Sequence, residues 1–137
     1  MPLRQEQVEG LADFRYALRQ FLATSEAISR ESGVTPQQYQ AMLAIRARSA
    51  DGLTMKDLAE QLALTHHAAV QLVDRLAKAG LAARARSSAD RRHVLLRLTP
   101  EGEARFDRLA SRHLEAMLAQ EPVLSQSIRR LKRLKED

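Results

Sequence analysis

The fold of this protein is decided by residues 54–98, which read TMKDLAEQLALTHHAAVQLVDRLAKAGLAARARSSADRRHVLLRL. The apolar spacing in the first part predicts two short helices, 54–62 and 65–79, joined by a very short connection. Thr54 begins a sequence that resembles a capping box, and Thr65 is a second N-cap candidate. Two helices joined this closely have the spacing of a helix-turn-helix.

The remainder of this stretch predicts a two-stranded β-hairpin. Small apolar and basic residues alternate in 81–86, and residues 94–98 alternate again, as in half-exposed strands. The polar and basic residues 87–93 form the loop between them. Gly80 is placed to cap the preceding helix. A helix-turn-helix followed directly by a basic hairpin is a winged helix, so the expected fold class is mainly α (α+β) with a two-stranded β-wing.

Further helices are predicted on both sides of this unit. Residues 6–30 carry one apolar seam, and Thr35 as N-cap with Pro36 in the first turn opens a second helix. After the wing, Pro100 starts another helix and Pro122 begins a last one. The expected domains are an N-terminal dimerisation helix (1–34), a winged helix-turn-helix (35–99) and C-terminal dimerisation helices (100–137).

The apolar seams of the terminal helices exceed what the small middle domain can cover. An apolar helix face needs another apolar surface against it, so we expect a second copy of the chain to complete this core in a homodimer. The residues assigned to the dimerisation surface are Leu11, Phe14, Leu18, Phe21, Ile28, Phe106, Leu109, Leu124, Ile128 and Leu131.

The composition excludes several functional classes. The 137 residues include no cysteine, which excludes a disulfide scaffold, a thiolate metal site and a cysteine nucleophile. No glycine-rich phosphate loop is present, and the four histidines are not spaced as a catalytic or metal site. Neither an enzyme nor a cofactor is therefore expected. Without a membrane span or an apolar signal core, we expect a cytoplasmic protein with no membrane partner.

The positive charge is concentrated in the middle of the chain. The formal net charge is +5, and residues 64–98 alone carry seven Lys or Arg against two Asp or Glu. The flanking segments 1–63 and 99–137 have net charges of −1 and +1. A local positive field attracts phosphate backbones and other anionic surfaces. A solvated basic face is the alternative interpretation.

The helix predicted over 65–79 carries candidate base-reading residues opposite its apolar face. A helix-turn-helix reads the major groove with the N-terminal half of its second helix, which places His67 and Gln71 near base edges. Gln can bond adenine bidentately, and a small apolar side chain can meet a thymine methyl group. Cations nearer the C-terminus are better placed for phosphates. The candidate DNA-binding residues are Thr65, His66, His67, Ala68, Val70, Gln71, Arg75 and Lys78.

The loop between the strands is a second candidate, through Asp90, Arg91, Arg92 and His93. An arginine at the tip of a wing can enter a narrow A·T-rich minor groove, where the negative potential is enhanced. A neighbouring carboxylate can orient that arginine. A charged, solvated turn is the alternative interpretation.

Several of these motifs resemble those of the MarR family. Residues 52–64 resemble the first helix of its helix-turn-helix, and residues 70–84 resemble its recognition helix running into the wing. Residues 90–102, DRRHVLLRLTPEG, match its wing signature of Asp-x-Arg followed by Leu-Thr-x-x-Gly. Residues 35–39 fit its second helix, so the resemblance covers nearly the whole chain.

The resemblance implies a homodimeric winged-helix repressor or activator that reads a palindrome in double-stranded DNA. It makes Arg92 the wing arginine and Asp90 its orienting partner. Many members of the family carry Ser or Thr near the positions of Ala68 and Val70, so the target sequence does not follow from the resemblance. An alternative function is an interaction module that docks an acidic partner without sequence-specific DNA binding.

Members of this family often respond to a small, frequently aromatic anion, so a small-molecule effector is a further candidate partner. The candidate ligand-binding residues are Arg15, Arg19 and Tyr39. Arg15 and Arg19 are four residues apart on one helix, so they can jointly hold a carboxylate. An exposed helical face is the alternative interpretation for each of the three.

Overall fold

The computed structural model describes residues 1–87 and 93–136, and this part of the chain contains five helices and two strands. A helix-turn-helix is followed by a two-stranded antiparallel wing, which confirms the predicted fold class. In the same residues no helix combines the length and the apolar character that a membrane span requires. The elements are α1 (Gln5–Glu31), α2 (Pro36–Ala47), α3 (Met55–Gln61), α4 (His66–Lys78), β1 (Ala82–Arg86), β2 (Val94–Leu98) and α5 (Pro100–Glu136).

The chain forms two compact units. The helical unit consists of Met1–Ile28 and Ser111–Asp137, which contribute most of α1 and most of α5. The winged-helix unit consists of Ser29–Ala110 and contains α2, α3, α4 and both strands. The first turns of α5 therefore belong to the winged-helix unit.

The helices of the winged-helix unit begin at the predicted N-caps. Thr35 forms a capping box in front of α2. Thr54 and Asp57 form the same reciprocal pair before α3, with each side chain accepting the other residue's backbone N–H. The Thr65 hydroxyl accepts the backbone N–H of Ala68 at the start of α4. Local side-chain chemistry thus fixes where α2, α3 and α4 begin.

The core of the winged-helix unit lies between its helices and one face of its sheet. The strands pair antiparallel with Arg84 opposite Leu96. The Leu96 N–H also donates to the Leu53 carbonyl at 2.7 Å, so a short bridge adjoins β2 on its other side. The large apolar side chains buried in this unit include Val34, Met42, Ile45, Leu53, Leu58, Leu72, Val73, Leu76, Leu81, Leu96, Phe106 and Leu109.

Two turns with positive φ flank α4. Gly80 follows the helix at φ +76°, as predicted, because glycine adopts this conformation without Cβ strain. The turn between α3 and α4 contains Ala63 at φ +53°, a conformation that costs a non-glycine residue roughly 1–2 kcal/mol. The Leu64 N–H donates to the Ala59 carbonyl at 2.9 Å, which holds this strained turn against the end of α3.

The start of α5 is fastened to the end of α4. The Thr99 hydroxyl donates to the Gly80 carbonyl at 2.6 Å and accepts the Gly102 N–H at 3.0 Å. The Thr99 N–H donates to the Leu81 carbonyl at 3.0 Å. One threonine therefore caps α5 and also satisfies backbone groups at the turn between α4 and β1.

The prediction that Pro122 begins a separate helix is wrong, because α5 runs unbroken through it from Pro100 to Glu136. Proline removes a backbone N–H and disfavours helix interiors. In the helical unit, contacts on both sides of Pro122 hold α5 against α1. Gln120 donates to the Thr24 hydroxyl at 2.6 Å, and Arg130 pairs with Asp13. Packing of α5 along α1 therefore overrides the local preference to end the helix.

Candidate nucleic-acid interface

The second helix of the helix-turn-helix, α4, has one buried face and one exposed stripe, as its periodicity predicts. Ala69, Leu72, Val73 and Leu76 are each at most 3% exposed and pack into the core. The opposite face presents four polar side chains to solvent. We call them the α4 stripe: His67, Gln71, Asp74 and Lys78.

The N-terminal half of α4 presents groups suited to base edges. His66, His67 and Gln71 are exposed, whereas Ala68 and Val70 are half-buried on the flanks. The hydroxyl of Thr65 accepts a backbone N–H as the helix cap. In the described part of the chain, neither the His67 side chain nor the Gln71 side chain forms a hydrogen bond or an ion pair, so both side chains can bond a ligand.

The C-terminal half of α4 supplies two exposed cations, Arg75 and Lys78. Neither forms an ion pair with a described residue. Because the first two turns of a recognition helix lie deepest in the groove, cations in its last turns approach phosphates rather than bases.

An ion pair that the sequence pattern does not predict joins α4 to the wing. Arg84 on β1 places its Nη2 atom 2.7 Å from the Oδ1 atom of Asp74. The ten-residue separation crosses the Gly80 turn, so no helical or strand period connects the two positions. The feature of the sequence that could have indicated this pair is an exposed acidic residue on α4 followed by a basic residue on the next strand.

The wing is described only at its base. The predicted DNA contacts Asp90, Arg91 and Arg92 lie outside the described residues. His93 is exposed, and its carbonyl accepts the Ser87 N–H at 3.0 Å, which extends the pairing of the strands.

Not every arginine of the basic segment is available to a ligand. Arg97 on β2 is half-buried, and its Nη1 atom donates to the Ser49 carbonyl at 3.0 Å. Arg46 on α2 likewise pairs with Glu103 on α5 at 2.9 Å. Both arginines are engaged within the winged-helix unit, whereas Arg75 and Lys78 on α4 have no ion pair with a described residue.

The three candidate ligand-binding residues have different surroundings. Arg15 and Arg19 are exposed on α1 and border a depression of about 240 Å³ together with Leu18 and Leu22. Tyr39 belongs to the winged-helix unit and is buried there, with its ring stacked on Phe106 at a centroid distance of 6.1 Å. Burial raises the pKa of the Tyr39 phenol, so the hydroxyl stays neutral.

The residues assigned to dimerisation differ in burial. Ile28, Phe106 and Leu109 are buried within their own chain, whereas Leu11 and Ile128 are each nearly half exposed. The others are half-buried: Phe14, Leu18, Phe21, Leu124 and Leu131. The helical unit also exposes apolar side chains that the sequence does not assign to dimerisation, although Leu114, Met117 and Leu118 are spaced by three and four: Leu114, Met117, Leu118 and Val123.

No metal centre accompanies this surface in the described residues, since no group of three or more His, Asp or Glu side chains is placed to hold an ion. His66 and His67 are adjacent on α4 and point about 100° apart. His113 is buried in the helical unit, where its Nε2 atom lies 3.1 Å from the Ser25 carbonyl oxygen.

Comparison with known proteins links the chain to a family of regulators. The model of the MarR family matches residues 32–93, which include α2, the helix-turn-helix and the base of the wing. The chain is 34% identical to the HTH-type transcriptional regulator FarR of Neisseria gonorrhoeae over 116 residues, which span 84% of this chain and 75% of that regulator.

Solved structures share the architecture. AbsC, a MarR family transcriptional regulator from Streptomyces coelicolor, superposes with a TM-score of 0.75 at 19% identity, over 88% of this chain and 81% of that one. CouR from Rhodococcus jostii RHA1, solved with bound p-coumaroyl-CoA, has a TM-score of 0.64 at 26% identity, over 71% and 67% of the two chains.

Proposed function

Because this chain belongs to the MarR family of DNA-binding transcription regulators, we propose that it is a homodimeric repressor that reads a palindromic operator. The observation that carries the proposal is the α4 stripe. It offers side chains that can bond bases on a helix whose opposite face is fixed in the core. No catalytic step forms part of this function.

Within the operator, each group of residues takes the contact that its chemistry suits. His67 and Gln71 reach base edges in the major groove, where glutamine can bond adenine through two hydrogen bonds. Arg75 and Lys78 bind phosphates, which supply much of the affinity without reading sequence. Arg92 enters the adjacent minor groove from the wing.

The apolar surface of the helical unit supports the dimer. Large exposed apolar patches on a protein mark surfaces that another molecule covers. Two grooves run beside these side chains, one of about 400 Å³ that includes Tyr16 and Val123, and one of about 230 Å³ that includes Leu11 and Leu134. We place the interface on the exposed apolar residues Leu11, Leu114, Met117, Leu118, Val123 and Ile128.

A dimer would set the distance between its two recognition helices. Copies of α4 that enter successive major grooves are about 34–36 Å apart, so the half-sites of the palindrome are centred one helical turn apart. The proposal of a repressor supposes an operator that overlaps a promoter, where the bound dimer would exclude RNA polymerase.

A small anionic effector completes the proposal. Arg15 and Arg19 offer two cationic groups beside the apolar surface of Leu18 and Leu22. That combination suits a carboxylate joined to an aromatic or aliphatic body. Such a ligand releases DNA only if it binds more tightly to a dimer whose recognition helices have the wrong spacing.

DNA reading is tested by fluorescence anisotropy with duplex DNA from immediately upstream of the protein's own coding region. We expect a preference of about a thousandfold or more over a scrambled duplex, with strong salt dependence. Gln71→Ala should reduce this preference about tenfold. Gln40→Ala, an exposed glutamine on α2, is the matched control and should not. Equal binding to both duplexes contradicts operator reading, and no binding at low salt favours the protein-docking alternative.

The dimer is tested by light scattering coupled to size-exclusion chromatography. Leu118→Glu should yield monomers, because it places a charge in the proposed interface. Leu43→Glu changes a similarly exposed leucine of α2 in the winged-helix unit and should leave a dimer. A Leu118→Glu protein that remains dimeric would contradict the location of this interface.

A further inference from the structure

We propose that Asp74 limits how tightly the recognition helix binds any DNA, and that Arg84 sets the strength of this limit. The inference rests on the proposed DNA-reading role of α4. Asp74 is the only acidic residue of α4, and it lies on the α4 stripe with Gln71 and Lys78. A carboxylate on the surface that approaches phosphates repels them, so its presence there opposes binding.

The ion pair with Arg84 neutralises that carboxylate. The Nη2 atom of Arg84 lies 2.7 Å from Oδ1 of Asp74, while both side chains remain partly exposed, at 38% and 59%. Ion pairs this exposed contribute little to folding stability. Their electrostatic effect is instead felt by a charged ligand that approaches the same surface.

The state of the pair determines how many cations α4 and β1 offer to a duplex. With both residues present, Asp74 occupies Arg84 and the pair is neutral. Without Asp74, the Arg84 guanidinium becomes available to a phosphate. Without Arg84, Asp74 faces the duplex as an unpaired negative charge beside Arg75 and Lys78.

The pair acts on specific and non-specific binding alike. Both kinds of binding include phosphate contacts, whereas only operator binding also includes base contacts. Adding or removing one phosphate contact therefore changes both affinities by a similar factor, and the ratio between them is set by the residues that read bases. Asp74 and Arg84 together set the overall affinity of α4 and β1 for a duplex.

The test compares Asp74→Asn, Arg84→Gln and the double variant with the unmodified protein. Binding of a scrambled duplex is measured by anisotropy over a range of salt concentrations, so the operator need not be known. Asp74→Asn should bind about fivefold more tightly and steepen the slope of log affinity against log salt by about one. Arg84→Gln should bind several-fold more weakly, and the double variant should return to within about twofold of the unmodified protein.

The matched control is Asp51→Asn, which makes the same charge change at an exposed position outside α4. It should change the salt slope much less than Asp74→Asn. If Asp74→Asn binds no more tightly than this control while its circular dichroism is unchanged, the inference is overturned and the proposed function stands. An unmodified protein that binds no duplex at low salt overturns both.

Discussion

The carbonyl oxygen of Leu81 occupies the space where a side chain at Gly102 would begin, because a Cβ atom built on Gly102 would lie 1.9 Å from it. The same oxygen accepts the Thr99 N–H. The first turn of α5 can therefore lie on the turn between α4 and β1 only if residue 102 has no side chain. This close contact explains why the Leu-Thr-x-x-Gly sequence at 98–102 ends in glycine.

Gly102→Ala should lower the free energy of unfolding by roughly 3 kcal/mol, because the obstructing atom belongs to the backbone and cannot rotate away. Urea denaturation followed by circular dichroism measures the change. Gly10→Ala is the matched control, since its Cβ would meet only the flexible ends of Leu131 and Leu134, each at 3.0 Å. Equal stability losses in the two variants would contradict the special role of the Leu81 contact.

Ala63→Gly should stabilise the protein by about 1 kcal/mol. Ala63 has φ +53° in the turn of the helix-turn-helix, and glycine removes the Cβ strain of that conformation. Thermal unfolding detects the gain as a higher midpoint. Ala77→Gly, within α4, should destabilise by about 1 kcal/mol, because glycine disfavours helix interiors. A loss at both positions would show that the Ala63 turn is not strained.

Asp57 should make stability depend on pH at the acidic end of the range. Hydrogen bonds with the Thr54 hydroxyl and the Thr54 backbone N–H lower the pKa of the Asp57 carboxyl. A lowered folded-state pKa contributes stability that is present above the unfolded pKa and lost as pH falls through the folded pKa. The urea midpoint of the unmodified protein should therefore exceed that of Asp57→Ala at neutral pH, and the two should converge in acid. A constant difference across the range would exclude this titration.

Arg92→Ala should weaken operator binding by roughly 1–3 kcal/mol, the scale of one lost specific contact. Anisotropy on the operator duplex measures the loss. Arg108→Ala removes the same charge from an exposed position on α5 and is the control. If a folded, dimeric Arg92→Ala protein binds the operator as tightly as the control does, Arg92 does not contact DNA.

Local signals in the sequence are sufficient for the starts of α2, α3 and α4 and for the orientation of α4. Thr35, Thr54 and Thr65 each provide a side-chain acceptor for a backbone N–H at a helix start, and all three caps form. The buried face of α4 follows from a period of 3.6 residues, which does not depend on tertiary contacts. These features can be predicted because their causes lie within a few residues of each other.

Features that depend on distant residues could not be predicted in the same way. Pro122 signals a helix start, but contacts between α5 and α1 continue the helix through it. The pair of Asp74 and Arg84 forms only because the Gly80 turn brings β1 back beside α4. The exposed leucines of α5 are not predicted, because the stripe that contains Phe106 and Leu109 already gives this helix an apolar face.

The residues of α4 that are proposed to read DNA are different from the buried residues that hold the helix in the core. His67 and Gln71 have no intramolecular partner in the described chain, so replacing them removes no contact on which the fold depends. Substitutions at such positions usually change stability by less than about 0.5 kcal/mol. If His67 and Gln71 read the operator as proposed, proteins descended from one ancestral gene can change these two residues and acquire new target sequences while every intermediate remains folded. For the same reason, positions 67 and 71 are suitable for randomisation when regulators with chosen operators are engineered.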